Sequence, residues 1–327
     1  MIISRTPLRM SFVGGGSDLP SFYRKFGGAV VSTAINKFVY ITLNEKFDHR
    51  IRVSYSKTEE ANTVAEVQHP LVRESMKLLG VQGGIEITSI ADIPSKGSGL
   101  GSSSAFTVGL LHALHAYSGR YASAEQLAKE ACAIEIERCG EPIGKQDQFA
   151  AAFGGFNFIE FNADDSVSVE PILCRRETLL KLQENIIVFY TGIARSASAI
   201  LKSQQDAVAS SEVKQKALQR MVQLARDVKA ELQKNNVETF GEILHEGWEL
   251  KRSITDEISS GEIDGWYAAA RRAGASGGKL LGAGSGGFLM FYAPREQHEA
   301  IAEALKELRQ IPMRFEPQGS RIIFVHD

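Results

Sequence analysis

Cysteine, proline and tryptophan are scarce in the chain of 327 residues: three, nine and two. The cysteines are Cys132, Cys139 and Cys174, an odd and sparse set that excludes a disulfide scaffold and fits a reducing cytoplasm. Cys132 and Cys139 fall in what reads as one helix, where a rise of 1.5 Å per residue sets them roughly 10 Å apart, too far to bridge. No apolar run approaches the ~20 residues that a membrane-spanning helix needs. The opening residues, Met1 to Pro7, lack the apolar region of a secretory signal. A cytoplasmic protein without a membrane partner is the expectation. Neither charge is in excess: 37 Lys and Arg stand against 39 Asp and Glu, for a net charge of −2, so no basic footprint points to nucleic acid. Hydrophobic residues at 43% and charged residues at 23% exclude disorder and collagen. There is no internal repeat and no low-complexity segment.

What is plentiful is glycine, 30 residues, clustered at 14–16, 97–101 and 274–287. Glycine serves where backbone takes positive φ or approaches a ligand closely. Three clusters so far apart suggest one site folded from three loops. The length suits two domains of ~150 residues, divided near residue 180 into 1–180 and 181–327. The pattern is α+β in both. Residues 1–13, 51–55, 84–90, 156–161 and 167–172 read as strands, and 29–47, rich in Val, Ile, Thr, Phe and Tyr, as one or two. Helices are predicted at 18–26, 69–79, 103–117, 146–153 and 123–138, the last with Ser123 and Gln126 at capping-box spacing. The second half reads as a strand at 185–190, then a helical tract over 194–275 broken near Ser210 and Gly261. A strand at 287–292, a helix at 296–308 and strands at 312–316 and 321–325 complete it.

Each glycine cluster has a local reading. Arg5 to Asp18 runs from a strand into Gly14–Gly16, closed by Ser17 and Asp18. Asp18 is an acceptor-only group suited to the donors of a polyol, while Arg9 suits an anion; a simple turn with Ser17 or Asp18 as N-cap is the alternative. Pro94 to Ala105 (PSKGSGLGSSSA) leads straight into an apolar helix. Unsatisfied N–H groups and the positive end of the dipole make such a start a phosphate site. The spacing is not that of the Walker loop. Gly277 to Gly287 has six glycines in eleven residues and matches G-x-G-x-x-G at Gly282, Gly284 and Gly287. A dinucleotide fingerprint must open a helix; this run opens a strand, which argues against a dehydrogenase. Its role is then to pack backbone against a substrate or against the other two loops. Between the second and third clusters lie two acids. Glu135 ends a helix, where its charge opposes the dipole unless a cation offsets it, and Asp147, beside Lys145, opens one.

Together these segments resemble the GHMP small-molecule kinases. Pro7 to Asp18 looks like their first motif, Pro94 to Ala105 like their phosphate-binding motif, and Lys279 to Gly287 like their third. Gly144 to Gln148 (GKQDQ) is similar to the segment that carries the catalytic aspartate of sugar kinases. Within the family, the stretch through Phe-Val-Gly-Gly-Gly-Ser-Asp-Leu-Pro is similar to kinases of D-glycero-D-manno-heptose 7-phosphate and to the fucokinase-like branch. Galactokinases carry Gly-Glu-His at 14–16, and Ser17 stands where Thr is usual.

The resemblance implies a two-domain α+β fold. Its N-terminal domain is like ribosomal protein S5 domain 2 and its C-terminal domain is ferredoxin-like, with the site between them. It implies ATP and Mg²⁺, and transfer of the γ-phosphoryl group to the anomeric hydroxyl of the heptose phosphate, for nucleotide-heptose and surface polysaccharide synthesis. A fucokinase-like or other hexose 1-kinase is the alternative, and a non-catalytic sugar sensor a third reading. Asp147 would accept or orient the hydroxyl proton, with Arg9 steadying charge beside it. Gly97, Ser98, Gly99, Leu100, Gly101, Ser102, Ser103 and Ser104 would hold the phosphates, and Ser103 and Glu135 the Mg²⁺. Gly15, Gly16, Ser17, Asp18, Gly284 and Ser285 would meet the sugar, and Lys145 or Arg195 its phosphate. Residues 55–67 are a loose candidate for the adenine pocket, and a homodimer is left open.

Overall fold

A computed structural model describes residues 1–93, 97–193 and 197–326. The first half runs β1 (Ile2–Val13), α1 (Pro20–Phe26), β2 (Gly28–Glu45), β3 (Ile51–Ser54), β4 (Thr58–Ala61), α2 (Pro70–Leu79), β5 (Ile85–Ala91), α3 (Ser102–Tyr117), α4 (Ala124–Cys132), a π-helical segment (Ala133–Arg138), α5 (Gln146–Phe153), β6 (Phe156–Phe161) and β7 (Val167–Pro171). The second half runs α6 (Arg176–Glu184), β8 (Ile186–Tyr190), α7 (Ala197–Ala209), α8 (Glu212–Gln233), α9 (Phe240–Arg252), α10 (Gly261–Arg272), β9 (Gly277–Leu280), β10 (Phe288–Tyr292), α11 (His298–Ala304), β11 (Arg309–Gln310) and β12 (Arg321–Val325). The class is α+β, as expected. No helix among the described residues is long and apolar enough to cross a membrane.

β2 is the spine of the first sheet. Its run of β-branched and aromatic residues forms one strand of 18 residues. β1 lies antiparallel along one edge, from Ile2 opposite Leu43 to Val13 opposite Val31. Along the other edge β5 pairs with Val39–Glu45 and β6 with Gly28–Thr33. The sheet order is β12-β1-β2-β5-β3-β4, with β6 attached to β2 and β7 to β6. The second sheet is antiparallel in the order β11-β8-β10-β9. One apolar cluster runs through both halves. α3 is apolar on nearly every face and buried accordingly. Ser4 Oγ donates to the Gly109 carbonyl at 2.7 Å and ties it to β1.

Several elements depart from expectation. The predicted helix over 123–138 is α-helical only to Cys132 and then widens to π. The long helical tract breaks near Ser210 and just before Gly261 as predicted, but also over 234–239, where Asn235 takes φ 63°. The helix at 296–308 narrows to a 3₁₀ turn and α11. Residues 312–316 make one isolated bridge, Phe315 to Ile35, in place of a strand. Gly277–Leu280 is a strand inside a run read as loop. β12 pairs with β1, so a strand that a cut at residue 180 assigns to the second domain completes the sheet of the first.

Candidate active site

The three glycine clusters meet at one cavity of about 680 Å³. Gly15 and Gly16 line it from the end of β1, Gly97 to Ser104 from the start of α3 with the exception of Leu100, which is buried in the core, and Gly282 and Ala283 from the turn after β9. The second and third loops touch backbone to backbone. A Cβ on Gly99 would stand 2.2 Å from the Leu281 carbonyl oxygen, and one on Gly282 would stand 2.4 Å from the Gly99 Cα. The expectation that the third loop packs against the others is met, and only residues without side chains permit it. Gly101 takes φ 74° as the residue before α3, which therefore starts with no side-chain cap. Its first N–H groups are left for a ligand, and an anion is favoured there. Ser98 Oγ lies 2.9 Å from Ser102 Oγ, which steadies the loop.

At the foot of this loop Arg9 holds Asp147 in a fork. Arg9 Nε donates to Oδ1 at 2.7 Å and Nη2 to Oδ2 at 2.9 Å, while Nη1 donates to the Gly99 carbonyl at 2.6 Å. The Arg9 backbone N–H also donates to the Leu100 carbonyl at 3.0 Å. One residue of β1 thus fixes both the loop and the carboxylate, through bidentate geometry that only a guanidinium offers. Arg9 is 5% exposed and Asp147 24%, so the carboxylate keeps an open side toward the cavity. Asp147 stands in the first turn of α5, where Gly144 and Gly154 bracket the helix.

The π-helical segment turns Glu135 inward, a use to which such turns are often put. Its carboxylate is fully buried. It accepts from Ser103 Oγ and Ser104 Oγ, each at 2.7 Å, and from Gln148 Nε2 at 2.6 Å. Burial pushes its pKa up, against the pull of those three donors. Among the described residues no cluster of three or more His, Cys, Asp and Glu could hold a metal. Glu135 does not itself line the cavity, but Ser103, which does, is bonded to it, and this hydroxyl and carboxylate are oxygen ligands of the kind that suit Mg²⁺, which keeps several waters. Asp18 accepts from the Gly16 N–H at 3.0 Å, from Gln146 Nε2 at 3.0 Å and from the Gln146 N–H at 3.2 Å. Burial, and then the charge of Asp147, raise its pKa. A Cβ on Gly144 would lie 1.9 Å from Asp18 Oδ2, so the GKQDQ segment needs a glycine there to close on Asp18.

Four predicted substrate contacts lie elsewhere. Ser17 Oγ is buried against the Gly14 and Ala29 carbonyls at 2.8 and 3.1 Å. Lys145 donates to the Asp165 carbonyl at 3.0 Å, rests over the Tyr23 ring, and does not line the cavity. Ser285 bonds the backbone of Glu257 and Ile258, and Gly284 packs against Ile258. Both have turned from the cavity to the segment before α10. Arg195 and Pro94–Lys96 lie outside the described residues. Sequence reasoning left out Lys251, Lys279, Ser11 and Gln146, which all line the cavity. Lys251 and Lys279 are buried, and burial lowers their pKa values to about 8 and about 7. The signal for Lys279 was at hand, since it opens the third motif. Lys251 sits in a helix rich in charge, where a lysine reads as solvated.

Comparison with known proteins agrees with this geometry. The GHMP kinases N terminal domain matches residues 62–155 and the GHMP kinases C terminal domain residues 228–309. The D-glycero-alpha-D-manno-heptose 7-phosphate kinase of Campylobacter jejuni is 30% identical over 94% of this chain and 94% of its own. The bifunctional fucokinase/GDP-fucose pyrophosphorylase of Arabidopsis thaliana is 26% identical over 93% of this chain and 30% of its own. The crystal structure of a D-glycero-D-manno-heptose 1-phosphate kinase from Bacteroides thetaiotaomicron superposes with a TM-score of 0.82 at 27% identity, covering 100% of both chains. With both family domains matched in order and a relative of this similarity along nearly its whole length, the chain belongs to the GHMP kinase family and is a phosphotransferase that draws on ATP.

Proposed function

We propose that the protein transfers the γ-phosphoryl group of ATP to the anomeric hydroxyl of D-glycero-D-manno-heptose 7-phosphate. The observation that carries the reading is the Arg9–Asp147 fork at the phosphate loop, at 2.7 and 2.9 Å. It supports the reading because it sets a carboxylate able to accept a hydroxyl proton against the Gly97–Ser104 loop. The relative at 30% identity acts, by its name, on this heptose phosphate. Phosphoryl transfer passes through a loose transition state, so the protein's work is positioning and neutralisation. Gly97 to Ser104 hold the phosphates with backbone N–H groups. Asp147 accepts, or orients, the proton of the attacking hydroxyl, and Arg9 keeps its carboxylate in place. Asp18, with the Gly15–Gly16 backbone, anchors sugar hydroxyls. Ser103 and Glu135 would hold Mg²⁺, which when bound would supply positive charge to the nucleotide's phosphates. The product is a heptose 1,7-bisphosphate, a precursor for nucleotide-heptose and surface polysaccharide synthesis.

The test is a panel of sugars and sugar phosphates with ATP and Mg²⁺, followed by ADP release and by ³¹P NMR. Fastest turnover on the heptose 7-phosphate, with a new anomeric phosphate signal, supports the reading. Faster turnover on L-fucose, the other branch that the relatives contain, would replace it.

A further inference from the structure

Lys279 is one of the charged residues of the cavity that phosphoryl transfer, as described, leaves without a task. It is the third residue of β9 and is 8% exposed. An ammonium so deep has given up its hydration and ordinarily recovers it through a carboxylate or several hydrogen bonds. Lys279 has neither among the described residues. The charges that act on it are Lys251 and Arg9, both of its own sign. Arg9 is committed to Asp147. Lys251, 6% exposed, donates to the Gly15 carbonyl at 3.2 Å and to Gln204 Oε1 at 2.7 Å, both neutral, and the negative charge that acts on it is Asp18. Close by, Ser11 Oγ and Gln204 Nε2 are buried with no partner. The two buried lysines and Ser11 line the cavity together, and Gln204 lies behind Lys251 against the first glycine loop.

We propose that Lys279 and Lys251 seat a phosphomonoester borne by the acceptor, the phosphate that is not transferred, and so select a sugar phosphate over the free sugar. This rests on the kinase reading above and names the group by which it recognises its substrate. The nucleotide's phosphates already have their own seat in Gly97–Ser104 and the start of α3. Lys251 and Gln204 press instead on the first glycine loop: a Cβ on Gly16 would lie 2.1 Å from Gln204 Nε2 and 3.2 Å from Lys251 Nζ. Lys279 lies three residues before Gly282 and lines the same cavity as Gly15, Gly16 and Lys251. A phosphate there meets an ammonium from β9 and another from α9, with the unpartnered Ser11 hydroxyl lining the same cavity. Lys145, tied to Asp165 outside the cavity, does not compete for the role.

The experiment uses the full chain as wild type, Lys279→Met, Lys279→Arg and Lys251→Met, with ATP and Mg²⁺. Acceptors are the heptose 7-phosphate and the same heptose without its phosphate. Wild type is expected to favour the phosphorylated acceptor. Lys279→Met and Lys251→Met should each raise its KM about 10- to 100-fold, the range for a hydrogen bond to a charged group. Lys279→Arg should recover most of the loss. In Lys279→Met the KM for ATP and kcat/KM on the unphosphorylated heptose should move less than about twofold. Inorganic phosphate should raise the melting temperature of wild type and raise that of Lys279→Met less, by mass action. Equal loss of kcat on both acceptors would overturn the proposal, because the lysine would then serve the transferred group. Unchanged selectivity in the variants would overturn it too. Absence of ADP release on every acceptor would instead sink the kinase reading. In that event an equal phosphate shift in wild type and Lys279→Met would overturn the seat as well.

Discussion

Arg9 shows how much one side chain can settle. Its fork closes on Asp147 while its third nitrogen holds the phosphate loop through the Gly99 carbonyl. Lysine keeps the charge but not the fork. Arg9→Lys should therefore cut kcat by about 10- to 100-fold while leaving the fold intact, as steady-state rates and circular dichroism would show. Lys279 gives a pH test with a definite sign. Its pKa in the folded protein is lowered to about 7, against 10.5 for a free lysine. Below pH 7 it is protonated in both states, and the folded state bears the whole cost of burying the charge. As pH rises from 7 to 10.5 the folded chain loses its proton first, and that cost falls away. Lys279→Met should therefore melt above wild type at pH 6, and the gap should close as pH approaches 10. A gap that widens with pH would contradict the burial argument. Both residues were written in the sequence, but only Arg9 had a visible role. A lysine's burial depends on what packs over it, which residue type alone does not reveal.

At the scale of elements, local chemistry was legible and close approach was not. α5 was read with its bounds because glycines flank it, and α4 began at Ser123, whose side chain accepts from the Gln126 N–H as the capping spacing implied. β9 was hidden because Gly277, Gly278, Lys279 and Leu280 include no β-branched residue, and pairing with β10 alone makes them a strand. The π-helical segment has no sequence signature, although it is what turns Glu135 toward Ser103 and Ser104. The contact between the second and third loops allows a sharp prediction. A methyl group at Gly99 would overlap the Leu281 carbonyl oxygen at 2.2 Å, and φ there is +71°. Gly99→Ala should push the two loops apart and weaken ATP binding at least tenfold by calorimetry. A Gly80→Ala control, where a Cβ meets nothing within 4 Å, should leave ATP binding unchanged.

On the scale of the molecule, the two halves are closed by the end of the chain. β12 lies beside β1 with Val325 opposite Ile2 and Arg321 opposite Arg5, and β1 is the strand that carries Arg9. The sequence announced a strand at 321–325, but pairing across more than 300 residues leaves no local trace. A chain ending at Gly319 should lose the β12 ladder and melt several degrees lower, although none of Ser320 to His326 lines the cavity. The convergence of three distant glycine clusters was foreseeable because each carried its own chemistry. The account as a whole turns on Asp147 facing the acceptor hydroxyl beside the nucleotide's phosphates. Steady-state turnover of Asp147→Asn, with ATP affinity measured alongside, tests this most directly. A fall in kcat of about 10²- to 10⁴-fold, the usual share of a positioned acid or base, with ATP affinity kept within about twofold, is the predicted result; turnover equal to wild type would contradict it.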